Sequence, residues 1–410
     1  MSSTPRIVKA AVVQAEPVWF DLKATVAKTC SLIKEAASNG AHIIAFPEAF
    51  VPGYPVWIWV RAMDFDMNIR YAENSLSINS EEMKQLQSCA AENNIVVCIG
   101  HAERKGNSLY IGQCTIDNTG ELVMSRRKLK PVHMERTLFG DGDGPSLNNV
   151  ATTGVGRVGQ LSCADHFNPL IVYNTYSQGE EIHCSAWPPV APHPGGPAPY
   201  SMADEAVAAF SSVYSMQAQC FTLHSTSVIS QPSIDKLGVD GTPLFNRPGG
   251  GNARIYGPDG RLLTTDLPPS EEGIVYADLD MSLIAKEKGF LDNCGHAGRP
   301  ELLWDVDGTK GFTEAFGDDF SCRSLSSFSN LDSIQVNGGD DNIVNIIYHF
   351  SNSHSYNAQC TGEGVDFCQA GNIGELIPGG LLNCPLPAEA ISINSCDECY
   401  GDVIKGCKPS

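Results

Sequence analysis

Residues 159–170 read GQLSCADHFNPL and contain a strand end, a turn and a helix start. The apolar run at 155–161 has the composition of a strand, and it brings Cys163 to the edge of the turn. A helix is predicted over about residues 168–178. Strand, turn and helix in this order indicate an α/β fold, in which reactive side chains gather where strands end.

The alternation of strands and helices continues on both sides of this stretch. Apolar positions at strand spacing predict strands over residues 6–14 and 42–46, and those from Leu22 to Ala37 recur at helical spacing. Further helices are predicted at 81–92 and 203–217, and further strands at 94–101, 108–116, 122–127, 181–187, 221–229, 252–256 and 261–265. Strands alternating with helices, with hairpins between them, predict an α/β layered sandwich.

The overall composition favours a folded, non-membrane protein. Of the 410 residues, 42% are hydrophobic, which is enough for a core. The formal charge of −20 would repel phosphate backbones, so no nucleic-acid partner is expected. Apolar stretches stay far below the roughly 20 residues of a membrane-spanning helix, and the N-terminus has no adequate signal-peptide core. A cytoplasmic location and no membrane partner are predicted.

The cysteines divide the chain into two regions. Eight are scattered through residues 1–305 and resemble buried free thiols, whereas seven crowd into residues 306–410. The second region is rich in Gly, Ser and Asp and shows one strand pattern, at 342–350. We therefore predict one domain over residues 1–305 and a separate Cys/Gly/Ser-rich extension over 306–410.

The extension contains one pattern with possible chemistry. Cys396 and Cys399, with Cys407 nearby, have the spacing of a zinc knuckle or a redox pair, but a second CxxC is missing. The main interpretation is an extension without chemistry. Metal binding and disulfides stay open as alternatives, and so does an origin of the extension in non-coding sequence.

Four stretches place a functional side chain at or just after a strand end. They are FPEAF with Glu48, RRKLKPVHMER with Lys128 and Glu135, LSCAD with Cys163, and SAWPP with Trp187. Their order, together with GDGDG, HPGGPAPYSM, RPGGGNARIYGPDGR and NCGHAGRPELL, resembles the nitrilase branch of the carbon–nitrogen hydrolase superfamily, and its fungal members in particular. The resemblance covers roughly residues 5–304.

The resemblance implies a fold, an assembly and a set of catalytic residues. The fold is an αββα sandwich that dimerises into αββα–αββα and often extends into spiral filaments, so a homo-oligomer is expected. The Glu-Lys-Cys triad of the family falls on Glu48, Lys128 and Cys163, and a further family glutamate falls on Glu135. The choice of Lys128 over Lys130 depends on the motif. The resemblance implies no metal and no cofactor.

The chemistry explains why these residue types are needed. A thiol with an ordinary pKa of about 8.5 is only a few per cent thiolate near neutrality. Lys128 would favour the thiolate of Cys163 and so depress its pKa, and Glu48 would take the thiol proton as general base. Attack on a nitrile gives a thioimidate, then a thioester, then acid and ammonia. Lys128 and backbone N–H groups after Cys163 would stabilise the developing charge, and Glu135 would hold Lys128 or Glu48 in place.

The predicted substrate is a small aromatic or arylaliphatic nitrile. Tyr54, Trp57, Trp187 and Pro188 suggest an aromatic-lined pocket, with Ala164 beside the nucleophile. A cyanide hydratase that forms formamide, and a non-catalytic scaffold with the same fold, stay open as alternatives.

The nucleophile motif departs from the pattern usual in the family. Where the family usually reads Cys-Trp-Glu, this chain reads Cys163-Ala164-Asp165. The backbone N–H of Ala164 can still stabilise an oxyanion, but the missing indole would loosen the pocket wall. A weakened or inactive enzyme therefore stays open, and His166 is interpreted as structural.

Overall fold

A computed structural model describes residues 5–196, 199–241 and 244–298, and the backbone of five strands between residues 331 and 393. The chain divides into two compact units, Met1–Gly298 and Arg299–Ser410. The predicted domain boundary at residues 305 and 306 lies outside the described residues. Among the described helices, none combines the length and the apolar character of a membrane-spanning segment.

The first unit consists of strands and helices in alternation, with hairpins between some strands. Its strands are β1 Ile7–Ala15, β2 Ile43–Ala45, β3 Val96–Lys105, β4 Ser108–Ile116, β5 Leu122–Arg127, β6 Val150–Thr153, β7 Gly156–Ser162, β8 Ile182–Trp187, β9 Phe221–Ser227, β10 Arg254–Tyr256 and β11 Gly273–Asp280. Its helices are α1 Leu22–Ser38, α2 Phe65–Glu73, α3 Glu81–Glu92, α4 Pro169–Ser177, α5 Asp204–Ala218, α6 Gln231–Leu237 and α7 Ser282–Phe290.

The strands form one sheet that folds back on itself. Its order is β5-β4-β3-β2-β1-β9-β8-β7-β6, with β11 paired to β1 and β10 paired to β9. Strand β1 joins the two halves, because its middle pairs with β2 while its last two residues, Gln14 and Ala15, pair with β9. Across the fold, the Gln113 side chain donates to the carbonyl of Leu161 (3.0 Å) and Gln160 donates to that of Cys114 (2.8 Å).

The core has two kinds of layer, one between the sheet halves and one under each helix pair. Successive residues of β1 point to opposite faces, so Val12 packs between the halves and Val13 packs under α1 and α3. Leu161 of β7 packs instead against α4 and α5, through Val172 and Tyr214. The layers run helix, sheet, sheet, helix, which confirms the predicted αββα sandwich.

The helix that follows the nucleophile motif begins at a strong local signal. The Asn168 side chain accepts hydrogen bonds from the backbone N–H groups of Leu170 (3.0 Å) and Ile171 (3.4 Å), and Pro169 is the first helical residue. An Asn cap followed by proline is a favourable helix start. The turn between β7 and α4, which carries Cys163, therefore has a defined end on both sides.

The second unit contains an antiparallel sheet among its described residues. Its strands are β12 Leu331–Gly338, β13 Ile343–Phe350, β14 Ser355–Thr361, β15 Cys368–Ala370 and β16 Ile391–Ile393, in the order β15-β14-β13-β12-β16. The single strand predicted at 342–350 is β13. Cys396, Cys399 and Cys407 lie outside the described residues, and with them the predicted zinc-knuckle or redox spacing.

Candidate active site

The predicted catalytic side chains come from the ends of three different strands. Glu48 follows β2, Lys128 follows β5 directly, and Cys163 follows β7. The backbone N–H of Glu48 donates to the carbonyl of Trp187, the last residue of β8, at 3.2 Å. The strand ends therefore meet at one edge, and the side chains of Glu48, Lys128, Glu135 and Cys163 are all buried there.

Lys128 is the centre of the cluster. Its Nζ donates to Glu48 Oε1 at 2.9 Å and to the two oxygens of Glu135 at 3.1 and 2.9 Å. Burial opposes the charge of Lys128, but Glu135 and Glu48 together raise its pKa well above the ordinary value. The ammonium therefore stays charged, and the cluster holds two carboxylates for one cation.

Glu48 is available to take a proton. Its Oε1 accepts from Lys128 and from the Ser162 hydroxyl (2.7 Å), whereas its Oε2 has no hydrogen-bond partner among the described residues. Burial, reinforced by the nearby Glu135, raises the pKa of Glu48 to about 7 despite the lowering effect of Lys128. A carboxylate with a free lone pair and a pKa near neutrality has the properties of a general base.

The sulfur of Cys163 lies beside this carboxylate. Cys163 Sγ and one oxygen each of Glu48 and Glu135 all lie within 4.8 Å of one another. Three such atoms also have the spacing of a cation site, but Lys128 Nζ already bonds both carboxylates and supplies the positive charge. The arrangement therefore brings an acid, an ammonium and a thiol together, as the motifs predict.

Glu135 is saturated with donors, unlike Glu48. Its Oε1 accepts from the Tyr54 hydroxyl at 2.8 Å, and its Oε2 accepts from the backbone N–H of Val132 at 2.8 Å, in addition to the two bonds from Lys128. Glu135 therefore has less capacity than Glu48 to accept another proton, and its contacts orient Lys128.

Cys163 has an unusual backbone conformation. Its φ is +47°, in the left-handed region, at the start of the short 3-10 turn Cys163–Phe167. This region costs a non-glycine residue about 1–3 kcal/mol and is found at sites where the surrounding structure imposes it. The turn directs the side chain into the cluster.

The pKa of Cys163 contradicts one expectation from the sequence. Burial raises it well above the ordinary value and both carboxylates add to the effect, while Lys128 and a hydrogen bond from the Ala164 backbone N–H lower it. The expected depressed pKa is therefore wrong, because burial outweighs the attraction of Lys128 for the thiolate. The thiol is protonated at rest and needs a base to ionise.

A cavity of about 540 Å³ opens over the sulfur. Its lining includes Cys163, three of the residues named for the substrate pocket (Ala164, Trp187 and Pro188), and Trp59 and His133, whose rings stack 5.3 Å apart. Its volume is in the range of small-molecule sites, and its walls are mostly apolar and aromatic.

Comparison with known proteins agrees with this geometry. The family model described as carbon–nitrogen hydrolase matches residues 9–288. The chain belongs to the carbon–nitrogen hydrolase family. An arylacetonitrilase of Aspergillus kawachii is 51% identical over 304 residues, which are 74% of this chain and 92% of that protein. One of Hypocrea virens is 51% identical over 299 residues, 73% of this chain and 91% of that protein. These relatives place the chain on the nitrilase branch of the family.

Solved structures show the same fold at low sequence identity. A carbon–nitrogen hydrolase from Helicobacter pylori superposes with a TM-score of 0.59 at 16% identity, covering 73% of this chain and 98% of that one. An amidase from Nesterenkonia sp. AN1 has a TM-score of 0.51 at 17% identity, covering 71% and 98%. At this identity the likeness supports the sandwich fold alone.

Two predicted pocket residues lie elsewhere in this carbon–nitrogen hydrolase. Tyr54 is not part of the cavity lining, because its hydroxyl points at Glu135. Trp57 is fully buried in the core against Phe20 and Tyr71. Trp59 takes the expected place in the pocket wall, and its Nε1 donates to the Tyr54 hydroxyl at 3.3 Å.

A buried ion pair supports the nucleophile turn and was not predicted. Arg126 donates to Asp165 Oδ2 at 2.8 Å and to Gln113 Oε1 at 2.6 Å, and both charged side chains are almost completely buried. Strand alternation could have found it, since Arg126 lies on β5 two positions before Lys128 and their side chains therefore point to the same side. Asp165, which stands where the family usually has Glu, is therefore anchored here by Arg126.

Proposed function

We propose that the chain is a nitrilase that converts arylacetonitriles and related aromatic nitriles to carboxylic acids and ammonia. The observation that carries the proposal is the position of Cys163 Sγ, which lies within 4.8 Å of one carboxylate oxygen of Glu48 and one of Glu135. The aromatic cavity above it supports the substrate class, and so do the relatives described as arylacetonitrilases.

The first chemical step joins the sulfur to the nitrile carbon. Glu48 Oε2 takes the proton of the Cys163 thiol, and the sulfur adds to the carbon as the C≡N bond becomes C=N. Protonated Glu48 then passes this proton to the substrate nitrogen, which gives a neutral thioimidate and returns Glu48 to its carboxylate form. Lys128 Nζ and the Ala164 N–H stabilise the charge that builds on nitrogen before protonation.

Two water molecules complete the reaction. The Glu48 carboxylate takes a proton from the first water, which adds to the thioimidate carbon. Glu48 delivers this proton to the nitrogen and then relays the proton of the added hydroxyl group to it as well. The carbon–nitrogen bond breaks as the C=O bond forms, so ammonia leaves and a thioester remains. The second water attacks the thioester, the carbon–sulfur bond breaks, and the acid and the Cys163 thiol are released. The balance is one nitrile and two waters to one acid and one ammonia.

The roles of the two glutamates follow from their contacts. Glu48 has an oxygen that no described residue hydrogen-bonds, and it exchanges protons, so we assign it as the base. Glu135 accepts from Lys128, Tyr54 and Val132, so we assign it to orienting Lys128. Lys128 acts as a fixed positive charge, because its pKa is raised and it does not give up its proton readily.

The decisive experiment measures the products of a nitrile panel. Phenylacetonitrile, benzonitrile and cyanide are given to the wild type, to Cys163→Ala and to Cys89→Ala, whose buried thiol on α3 is a matched control. We expect equal amounts of ammonia and phenylacetic acid from the wild type and the control, and none from Cys163→Ala. Formamide from cyanide, with no acid from the aryl nitriles, would instead identify a cyanide hydratase.

The assembly, the domain limits and the location are further parts of the proposal. We infer a homo-oligomer built from dimers, and the exposed apolar side chains of Phe65 and Ile69 on α2 support a contact surface. Light scattering on the purified chain tests the assembly. We also infer that residues 1–305 form the catalytic domain and that the protein is cytoplasmic, which limited proteolysis and cell fractionation respectively test.

A further inference from the structure

A buried hydrogen-bond network of polar side chains extends from the nucleophile away from the substrate cavity. His166 Nδ1 lies 2.8 Å from the backbone oxygen of Cys163, and His166 Nε2 lies 3.1 Å from His183 Nε2. His183 Nδ1 lies 2.9 Å from Glu180 Oε2, and the Tyr214 hydroxyl donates to Glu180 Oε1. All of these side chains are buried, so the network is shielded from bulk solvent.

In this network, the donors and acceptors can be assigned from the Cys163 end. The carbonyl oxygen of Cys163 only accepts, so His166 Nδ1 carries the hydrogen. Burial and the nearby His183 hold the pKa of His166 well below its ordinary value, so its Nε2 has no hydrogen and accepts from His183 Nε2–H. One proton remains between His183 Nδ1 and Glu180 Oε2. The His183–Glu180 end of the network therefore keeps the Nδ1–H of His166 pointed at the carbonyl of Cys163.

Holding the carbonyl of Cys163 also orients the next N–H group. The Cys163 carbonyl and the Ala164 N–H belong to one planar peptide unit and point in opposite directions. The interaction of the Ala164 N–H with the sulfur is one of the effects that lower the pKa of Cys163 against the larger effect of burial. Because Cys163 has a φ of +47°, this peptide plane is in a strained conformation that needs an external contact to persist.

The packing around the network leaves its side chains little conformational freedom. A Cβ at Gly159, on the strand that leads to Cys163, would lie 1.9 Å from Glu180 Oε2, so only glycine lets this carboxylate approach. The His166 ring stacks on Trp187 at 5.0 Å, and the His183 ring stacks on Tyr214 at 3.8 Å. Both imidazoles are thus held between a hydrogen bond at each nitrogen and an aromatic face.

We propose that Glu180, His183 and His166 are positioning residues that fix the Cys163–Ala164 peptide, so that the Ala164 N–H stays aimed at the sulfur and at the charge formed on the substrate nitrogen. The proposal rests on the nucleophilic role of Cys163 proposed above. None of the three touches the substrate, so their effect is on turnover and not on binding.

The test compares two replacements of Glu180. In Glu180→Gln, the side-chain NH₂ donates to His183 Nδ1 and the amide oxygen accepts from Tyr214, so every donor direction is kept without a charge. In Glu180→Leu, the bond to His183 is lost and the direction is no longer fixed. Since one oxyanion donor is worth about 100–1000-fold in kcat, we expect misalignment in Glu180→Leu to lower kcat by roughly 10–100-fold with KM unchanged. Glu180→Gln should stay within about threefold of the wild type by the same measure.

A second pair of variants covers the case in which Glu180→Leu fails to fold. Tyr214→Phe removes one donor to Glu180, and Tyr176→Phe is its control, because Tyr176 packs against the Tyr214 ring without bonding Glu180. We expect kcat to fall several-fold in Tyr214→Phe and to stay unchanged in Tyr176→Phe. Rates are expressed per active site, titrated by loss of the reactive thiol.

Alkylation of Cys163 by iodoacetamide gives a readout that needs no nitrile. Losing the Ala164 N–H bond disfavours the thiolate, so Glu180→Leu should alkylate more slowly than the wild type and Glu180→Gln equally fast. Equal losses of kcat in the Gln and Leu variants, or unchanged kcat and alkylation in Leu and in Tyr214→Phe, would overturn the positioning role. A wild type that turns over no nitrile would refute the proposed function, and the alkylation series would still decide the positioning role.

Discussion

Lys128 Nζ lies 2.9 Å from Glu48 Oε1, and both side chains are closed to solvent. Glu135 shares the same ammonium, so the buried cluster contains one more acid than base. An excess carboxylate in a buried site is costly to ionise, which is why the pKa of Glu48 is raised to about 7. The predictions for pH and for Lys128 follow from this balance of charge.

Activity should fall as the pH is lowered through about 7. Glu48 removes the thiol proton only when it is ionised, and its raised pKa leaves it protonated on the acid side. We expect kcat/KM for phenylacetonitrile to rise about tenfold per pH unit below an apparent pKa near 7 and then level off. The apparent value belongs to the coupled cluster of Glu48, Glu135 and Lys128. A profile that stays flat from pH 5 to pH 8 would refute Glu48 as the base.

Replacing Lys128 should damage both activity and stability. Lys128→Met leaves two buried carboxylates facing each other, and breaking a buried pair costs about 3–5 kcal/mol. We expect no measurable turnover and a lower unfolding midpoint in urea at pH 8. The loss of stability should shrink as the pH falls, because the unpaired carboxylates then bind protons and become neutral.

Lys130→Met is the control for Lys128→Met. Lys130 pairs with Asp141 on the surface, where the two side chains are 57% and 53% exposed. Exposed pairs contribute about 0–1 kcal/mol, so activity and stability should stay close to those of the wild type. Turnover lost in Lys130→Met and kept in Lys128→Met would mean that the motif was aligned on the wrong lysine.

Asp165→Ala should destabilise the turn that carries the nucleophile. The change leaves the Arg126 guanidinium buried without its carboxylate, at a cost of about 3–5 kcal/mol. Asp259→Ala removes the partner of the exposed Arg261 and should cost under about 1 kcal/mol. Urea unfolding of both variants checks the difference. Equally small losses of unfolding free energy would show that the Arg126–Asp165 pair does not stabilise the fold.

Tyr54 and Trp59 should separate turnover from binding. Tyr54 contacts Glu135 and Trp59 lines the cavity. Tyr54→Phe should lower kcat roughly tenfold, or about 1.4 kcal/mol, with little change in KM. Trp59→Ala should raise KM for phenylacetonitrile roughly tenfold, because a large apolar contact is lost. Steady-state kinetics check both expectations, and a raised KM in Tyr54→Phe would show that Tyr54 contributes to substrate binding.

Elements with strong periodicity could be predicted closely from the sequence. The bounds predicted for α3, β4 and β5 are those of the structure. Helices α2, α6 and α7 were missed. In α2, Phe65 and Ile69 stand at helical spacing, but the helix has nine residues and both side chains are exposed, at 70% and 58%, so it adds little to the core. Strand β11 was missed because its pairing with β1 joins opposite ends of the domain. Residues 261–265 make only one bridge, between Leu262 and Tyr256, in place of the predicted strand.

The site was predictable in its residue types and not in its electrostatics. Motif order led to Glu48, Lys128, Glu135 and Cys163, which the structure brings together. The direction of the Cys163 pKa depends on burial and on two carboxylates from other elements, neither of which is visible in a local pattern. The contacts of Tyr54 and Arg126 depend in the same way on how the strands stack.

The most direct test of the account is mass spectrometry of the intact protein, quenched during turnover of phenylacetonitrile. We expect part of the wild type to carry a phenylacetyl or phenylacetimidoyl group, located by digestion on the peptide that contains Cys163. Cys163→Ala should carry no such group and release no ammonia. Ammonia release by Cys163→Ala at the rate of the wild type, or the group on any other residue, would contradict the account.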